Sequence, residues 1–409
     1  MAQAPKALTL EQAKEIALHN HPRIQSAGLV AEAANSLVTQ ARAPYSPSLA
    51  GNFTGAGAQS GTTLSAGALT TSSLYSRVAS GIAVSQMVTD FGRTASLTAT
   101  AKLRATAQGR SVVNTRAQVL LEVSQAYYQA LAADSVLKAA QAAVDNRSLT
   151  LRQVRALAAS LLKSTLDVSF AEVALSEAEL QLYRAENDVQ AGRARLAAAL
   201  GFEASAPFTL TDIALPPPLV SEPENLIAQA LKDRPDLAGL TFNRDAAYRF
   251  ADAEKRLSYP TISALGAAGV LPAHDDRLHG TYSSAGVNLS IPILSGGLFA
   301  ARRTEAELRA KAASSDVQEL AVLIARDVRL AWLEANTAFR RLDVTARLVA
   351  ETAQALRLAQ LRYDNGLGSI VELNQAQFSQ TTAEIEAASA KYEYLSRRSA
   401  LDYAIGELP

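Results

Sequence analysis

Few side chains in this sequence have the types and spacings that do chemistry. His274, Asp275, Asp276 and His279 fall close together, and imidazole with carboxylate is a donor set for a divalent cation. The stretch lies between two strand-like segments, where a solvated turn accounts for it without a metal. His19 and His21 sit beside a helix break, far from any acidic cluster, and read as structural or surface groups. No Ser/His/Asp grouping, phosphate loop or paired-carboxylate motif stands out. Cysteine is absent, which excludes disulfides, thiol catalysis and cysteine metal sites. The sequence therefore points away from an enzyme, and no cofactor is expected. What remains is Glu372, with Gln375 on the following helical turn. A carboxylate there can cap its helix or line a pore, and the two roles are compatible.

The segment around Glu372, Arg357–Phe378, joins two helical patterns. Leu342, Val349, Leu356 and Tyr363 recur every seven residues, as do Val371, Phe378, Ile385 and Tyr392 beyond the break. Two sevenfold stripes joined by a short break read as an antiparallel helical hairpin. The break holds Gly366 and Gly368, the only glycines between Gly297 and Gly406. Glycine supplies the left-handed conformation of a helix C-terminus. Ser369 then caps the next helix, with Glu372 completing a capping box.

Stepping outward, the chain has 409 residues, with Lys+Arg and Asp+Glu equal at 39 each. That balance offers no nucleic-acid-binding surface. No apolar run is long enough for a transmembrane helix. The opening MAQAPKALTL reads as a mature start with an added methionine, a signal peptide having been removed. Leu8–Ala43 is helical, with Thr9 as N-cap and an interruption at His21-Pro22. Phe91–Ala206 contains no proline. It reads as one long helix, a break near Ala158–Thr165, and a returning helix that stops at Gly201. Pro216-Pro217-Pro218 marks a stiff linker over 207–223.

The pattern then returns. Gly81-Ile82-Ala83-Val84-Ser85 matches Gly286-Val287-Asn288-Leu289-Ser290, Phe91-Gly92 falls opposite Gly296-Gly297, and Ala126-Tyr127 falls opposite Ala331-Trp332. Leu166-Asp167 falls opposite Val371-Glu372, and Gly201 opposite Gly406. The spacing changes once, in a loop that is Gln59–Ser73 in the first copy and Pro272–Gly280 in the second. The chain is thus read as duplicated: a first repeat over 1–206, the linker, and a second repeat over 224–409.

Each repeat holds two strand-like stretches, near 47–58 and 74–89, then near 260–271 and 281–294. Ala285, Val287, Leu289, Ile291 and Ile293 share one parity, with Tyr282, Ser284, Asn288 and Ser290 on the other. In the first repeat Ile82 and Val84 take the apolar parity. An apolar face opposite a small or polar one suits a water-filled membrane barrel, with Ile82, Val84, Val287, Leu289 and Ile291 facing lipid. Four strands per chain cannot close a barrel, and a bilayer does not leave sheet edges open. The sequence therefore asks for an oligomer, and room for a channel favours a trimer over a dimer.

With these elements in place, the chain resembles the TolC-like outer-membrane factors over nearly its whole length. The duplicated helix–strand–strand–helix layout carries the resemblance, and so does the segment Tyr363-Asp364-Asn365-Gly366-Leu367-Gly368-Ser369-Ile370-Val371-Glu372-Leu373. The resemblance implies a fold that is mainly α with membrane β: a long helical-hairpin barrel plus a transmembrane β-barrel completed by trimerisation. It also implies an export channel in the Gram-negative outer membrane that extends through the periplasm. The tips would meet a periplasmic adaptor and an inner-membrane pump, in drug efflux or in type I secretion. By position, Glu372 and Gln375 fall at the family's entrance constriction. Tyr363 and Asp167 fall where some members tie neighbouring hairpins shut, and Gly368 where some carry an arginine. Adaptor contact falls to Leu161, Leu162, Lys163 and Ser164 at the first tip and to Gly366, Leu367, Gly368 and Ser369 at the second. The first tip departs from the pattern, with no glycine where the second has Gly366.

The rival reading is a soluble coiled-coil scaffold or adaptor protein. Two uncharged, alternating strand pairs at matching points of the repeats have no use in such a scaffold.

Overall fold

The computed structural model describes residues 7–59, 63–65, 71–73, 75–203, 209–218 and 222–408. Along the first repeat run β1 (Ala7–Leu8), α1 (Leu10–Asn20), α2 (Pro22–Arg42), β2 (Ser48–Ala56), β3 (Thr63–Ser65), β4 (Thr71–Ser73), β5 (Arg77–Thr89), α3 (Arg93–Ala159) and α4 (Thr165–Ala199). After β6 (Thr209–Leu210) come α5 (Pro223–Asp233), α6 (Pro235–Lys255), β7 (Thr261–His274), β8 (Thr281–Ser290), α7 (Leu298–Asp364) and α8 (Ile370–Ala404). The helices of the two repeats match in length, at 11, 21, 67 and 35 residues. At 1.5 Å per residue α3 and α7 are each about 100 Å long.

Local signals explain the boundaries. Thr9 caps α1 through a capping box with Gln12. Proline stands at the first position of α2, α5 and α6, where its missing N–H breaks no helical hydrogen bond.

Contacts divide the chain into two units, and each draws on both repeats. The partition read from the sequence follows chain order instead.

One unit comprises Val30–Gly109 and Gly239–Gln318. Its sheet has the order β2-β5-β7-β8 and is antiparallel throughout. The register sets Leu49 beside Val84, Val84 beside Gly266 and Gly266 beside Ala285. Residues in register share a face, so Leu49, Phe53, Ile82, Val84, Val287 and Leu289 crowd one side, all exposed. Asn52, Ser85, Ser284 and Asn288 take the other. On that second side the Tyr282 ring lies across Gly81 and Gly269, its neighbours in register. A Cβ on Gly269 would come within 2.6 Å of the ring, and one on Gly81 would collide with the hydroxyl.

Three sequence expectations are corrected here. β8 ends at Ser290 rather than near 294, because Pro292 has no N–H for a ladder. Ile291 therefore lies past the sheet rather than on its apolar face. β7 continues to His274, which shortens the following turn. There His274 Nδ1 lies 3.0 Å from the Asp275 carbonyl, and Arg277 pairs with Asp275. The loop expected over Gln59–Ser73 contains the short antiparallel ladder β3–β4. Leu74, at the start of the second expected strand, lies outside the described residues.

The other unit comprises Met1–Leu29, Arg110–Ala238 and Glu319–Pro409. Its largest core gathers Leu8, Ala17, Val119, Val123, Tyr127, Leu131, Leu196 and Leu200. A second gathers Leu226, Ile324, Val328, Ala335 and Leu401, with Trp332 packed against it. β1 and β6 pair in parallel, fastening the linker to the start of the chain. Tyr127 stabilises that junction. Its hydroxyl lies 2.8 Å from the Leu8 carbonyl and 2.7 Å from that of Thr211, and accepts from Thr211 N at 3.1 Å.

Candidate functional site

The site is the pair of helical turns, α3–α4 and α7–α8, both within the second unit. At the α7–α8 turn Gly366 adopts φ +72°. The Leu367 and Gly368 amides then donate back to the Arg362 carbonyl at 2.7 and 3.0 Å, closing the helix. Ser369 Oγ accepts from Glu372 N at 3.2 Å. The return half of the expected capping box is not formed. The Glu372 carboxylate instead accepts from Arg362 Nε at 3.0 Å, and Arg362 Nη2 donates to the Leu367 carbonyl at 3.1 Å. A guanidinium is a stronger donor to carboxylate than a backbone amide, so the arginine takes it. Gly368 makes room for this pair: a Cβ there would lie 3.2 Å from both Arg362 Cβ and Glu372 Oε2. Gln375 remains exposed and bonds along its own helix to Ser379.

The α3–α4 turn closes without glycine. Leu161 itself takes the left-handed conformation, φ +58°, which costs an L-residue about 1–2 kcal/mol. Leu161 and Leu162 stand 93% and 69% exposed, and Leu367 on the other turn 71%. Ser164 and Asp167 form a full capping box, with Leu166 N donating to Ser164 Oγ and Ser164 N to Asp167 Oδ2, both at 3.1 Å.

That box engages the carboxylate expected to contact Tyr363 of a neighbouring hairpin. Within the protomer no such hydrogen bond forms, because Asp167 serves its own helix N-terminus. Tyr363 is 4% exposed and its hydroxyl has no partner. Burial pushes that hydroxyl above the usual tyrosine range, and the charges of Asp167 and Asp364 add to the effect. The ring is covered by Lys163, whose Nζ sits 4.0 Å from the ring centre in a cation–π contact.

Behind the turns the two hairpins share a small core of Leu151, Val154, Ala171, Tyr363, Ile370 and Leu373. Polar bonds cross the same seam. Asn374 Nδ2 donates to the Phe170 carbonyl at 3.2 Å, and Gln377 Nε2 to Thr150 Oγ1 at 3.1 Å. The sequence reading missed Arg362, Asn374 and Gln377. Arg362 stands ten positions before Glu372 across a turn, and no helical periodicity links two such positions. No cluster of three His, Asp or Glu able to hold a metal occurs among the described residues. The arrangement can present charge and be pulled apart; it holds no group poised for bond-making.

Comparison with known proteins gives the context. The family model described as outer membrane efflux protein matches residues 14–202 and 226–407. Outer membrane efflux protein BepC of Brucella suis biovar 1 is 25% identical over 99% of this chain and 87% of its own length. Protein CyaE of Bordetella pertussis is 28% identical over 98% of this chain and 84% of its own length. The solved structure of CusC superposes with a TM-score of 0.85 at 17% identity, covering 97% of this chain and 92% of that one. The last is a likeness of fold. A soluble scaffold does not fit these matches. The two blocks of the family match fall one on each repeat, and the chain belongs to the outer membrane efflux protein family: a TolC-like efflux channel of the outer membrane, a transport duct and not an enzyme.

Proposed function

We propose that the chain acts as a homotrimeric, passive export duct, gated at its helical turns and opened by docking of a periplasmic adaptor and an inner-membrane pump. The observation that carries this reading is the open sheet. Among the described residues β2 and β8 each pair on one side only, while one face is crowded with exposed apolar side chains. Edges left open in a bilayer are untenable. Pairing β8 of each protomer with β2 of the next gives three copies a closed twelve-stranded barrel. Ile82, Val84, Val287 and Leu289 then face lipid, and Ile291 lies at the rim.

The 67-residue helices carry the bore through the periplasm. Glu372 and Gln375 line its entrance, and Tyr363 with Asp167 lies at the contact between hairpins that must yield. Leu161, Leu162, Lys163, Ser164, Gly366, Leu367, Gly368 and Ser369 meet the adaptor. Energy comes from the pump. Mass measurement of the protein in detergent tests the assembly: a trimer is expected, and a stable monomer would overturn the reading.

A further inference from the structure

A cleft of about 600 Å³ lies between α3 and the α7–α8 pair, inside one unit. Arg147, Arg357 and Gln377 line it with Leu149, Leu356 and Leu361. Arg147 is 4% exposed. Its Nη1 donates to the Ala174 carbonyl at 3.0 Å, while Nη2 has no acceptor. A buried guanidinium needs a counter-charge and acceptors in place of the water it has lost. Glu177 acts on Arg147 only at longer range. Gln377, 8% exposed, spends Nε2 on Thr150 and leaves Oε1 unpaired. Two carboxylates on the same wall bond elsewhere, Asp364 accepting from Gln360 at 2.9 Å and Glu384 from Gln380 at 2.6 Å, and neither bonds Arg147. The cleft therefore combines a buried, under-satisfied cation with an apolar strip.

We infer that this cleft binds a small amphiphilic carboxylate, its head on Arg147 and Arg357 and its hydrocarbon chain along Leu149, Leu356 and Leu361. Arg147 Nη2 keeps a charged donor free for one carboxylate oxygen, and the leucines reward a chain that a bare anion lacks. The site lies behind the turns and stands whether or not Glu372 lines a pore.

The test is calorimetric titration of hexanoate into the full-length protein in detergent, with sulfate and hexanol as comparators. Saturable hexanoate binding is expected, tighter than either comparator. Arg147→Met should weaken it by at least about tenfold, as loss of a charged hydrogen bond does, and Arg357→Met should weaken it less. Arg147→Lys keeps the buried cation and guards against a folding defect; it should retain weakened binding with an unchanged circular dichroism spectrum. Three results would overturn the inference: no hexanoate binding, binding indifferent to both Arg147 variants, or sulfate bound as tightly as hexanoate. No binding in the trimer would mean that the cleft is satisfied from within the protein or by a neighbouring copy.

Discussion

Arg362→Gln should make the channel more cation-selective. The Arg362–Glu372 pair is about half exposed on both sides, at 55% and 44%, so it is worth only about 0–1 kcal/mol to folding. Its effect on permeation is larger. In the proposed trimer, with these turns at the entrance around one axis, the pairs sum to no net charge, and removing Arg362 leaves three carboxylates. A monovalent cation about 6 Å from each gains roughly 2 kcal/mol in water, reduced to about 1 kcal/mol at physiological salt. That corresponds to roughly a fivefold change in cation-to-anion permeability. Glu372→Gln should move selectivity by a similar amount towards anions, because Arg362 is then unpaired. The double variant should return near the parent. The assay is the reversal potential in planar bilayers under a KCl gradient, repeated at high salt, where the shift should shrink. An unchanged reversal potential in both single variants would refute the placement of this pair at the constriction.

Three further outcomes are expected. Leu289→Arg, on the apolar face of β8, should destabilise the membrane-inserted protein by about 2–4 kcal/mol at the bilayer midplane, whereas Asn288→Arg on the opposite face should be mild; equal losses in denaturant titration from liposomes would contradict the parity. Tyr363→Phe should leave stability unchanged or raise it by up to about 1 kcal/mol, since the hydroxyl it removes is buried without a partner; a clear fall in thermal midpoint would show a bond made between protomers. Burial holds the hydroxyls of Tyr127, Tyr363 and Tyr392 above the ordinary tyrosine range. The unfolded chain therefore loses these protons first, so their contribution is complete below the ordinary tyrosine pKa of about 10 and is lost as pH rises through the folded values. Helical circular dichroism followed from pH 9 upward should show the loss, and a midpoint flat to about pH 12 would refute it.

Most of the architecture was legible because it is periodic and duplicated. Helices of 67 residues leave long sevenfold records, and the strands of β5 and β8 alternate cleanly. Where legibility failed, a single residue outweighed a pattern. Pro292 cut β8 short of Ile291. The contacts at the turns were harder still, because they depend on competition. Glu372 had two possible donors, and a guanidinium beyond the turn won. Within the protomer Asp167 bonds the amide of its own cap, and Tyr363 stays apart from it. Sequence distance conveys neither choice. The pairing of Thr150 with Gln377, 227 positions apart, leaves no local trace at all.

Tyr282 on its two glycines has a historical consequence. The repeat that sets Gly81 opposite Gly286 also sets Arg77 opposite Tyr282, so the ring has no twin in the first half. The first half contributes Gly81, while the second contributes both the ring and Gly269 beneath it. They are no longer interchangeable, and one half cannot pair with a copy of itself in the way it pairs with its sibling. In descendants of this chain the three positions should be inherited as a set. A lineage that enlarges Gly81 or Gly269 must first have given up the tyrosine, and even then the Ala268 and Ser80 carbonyls stand against the added Cβ atoms.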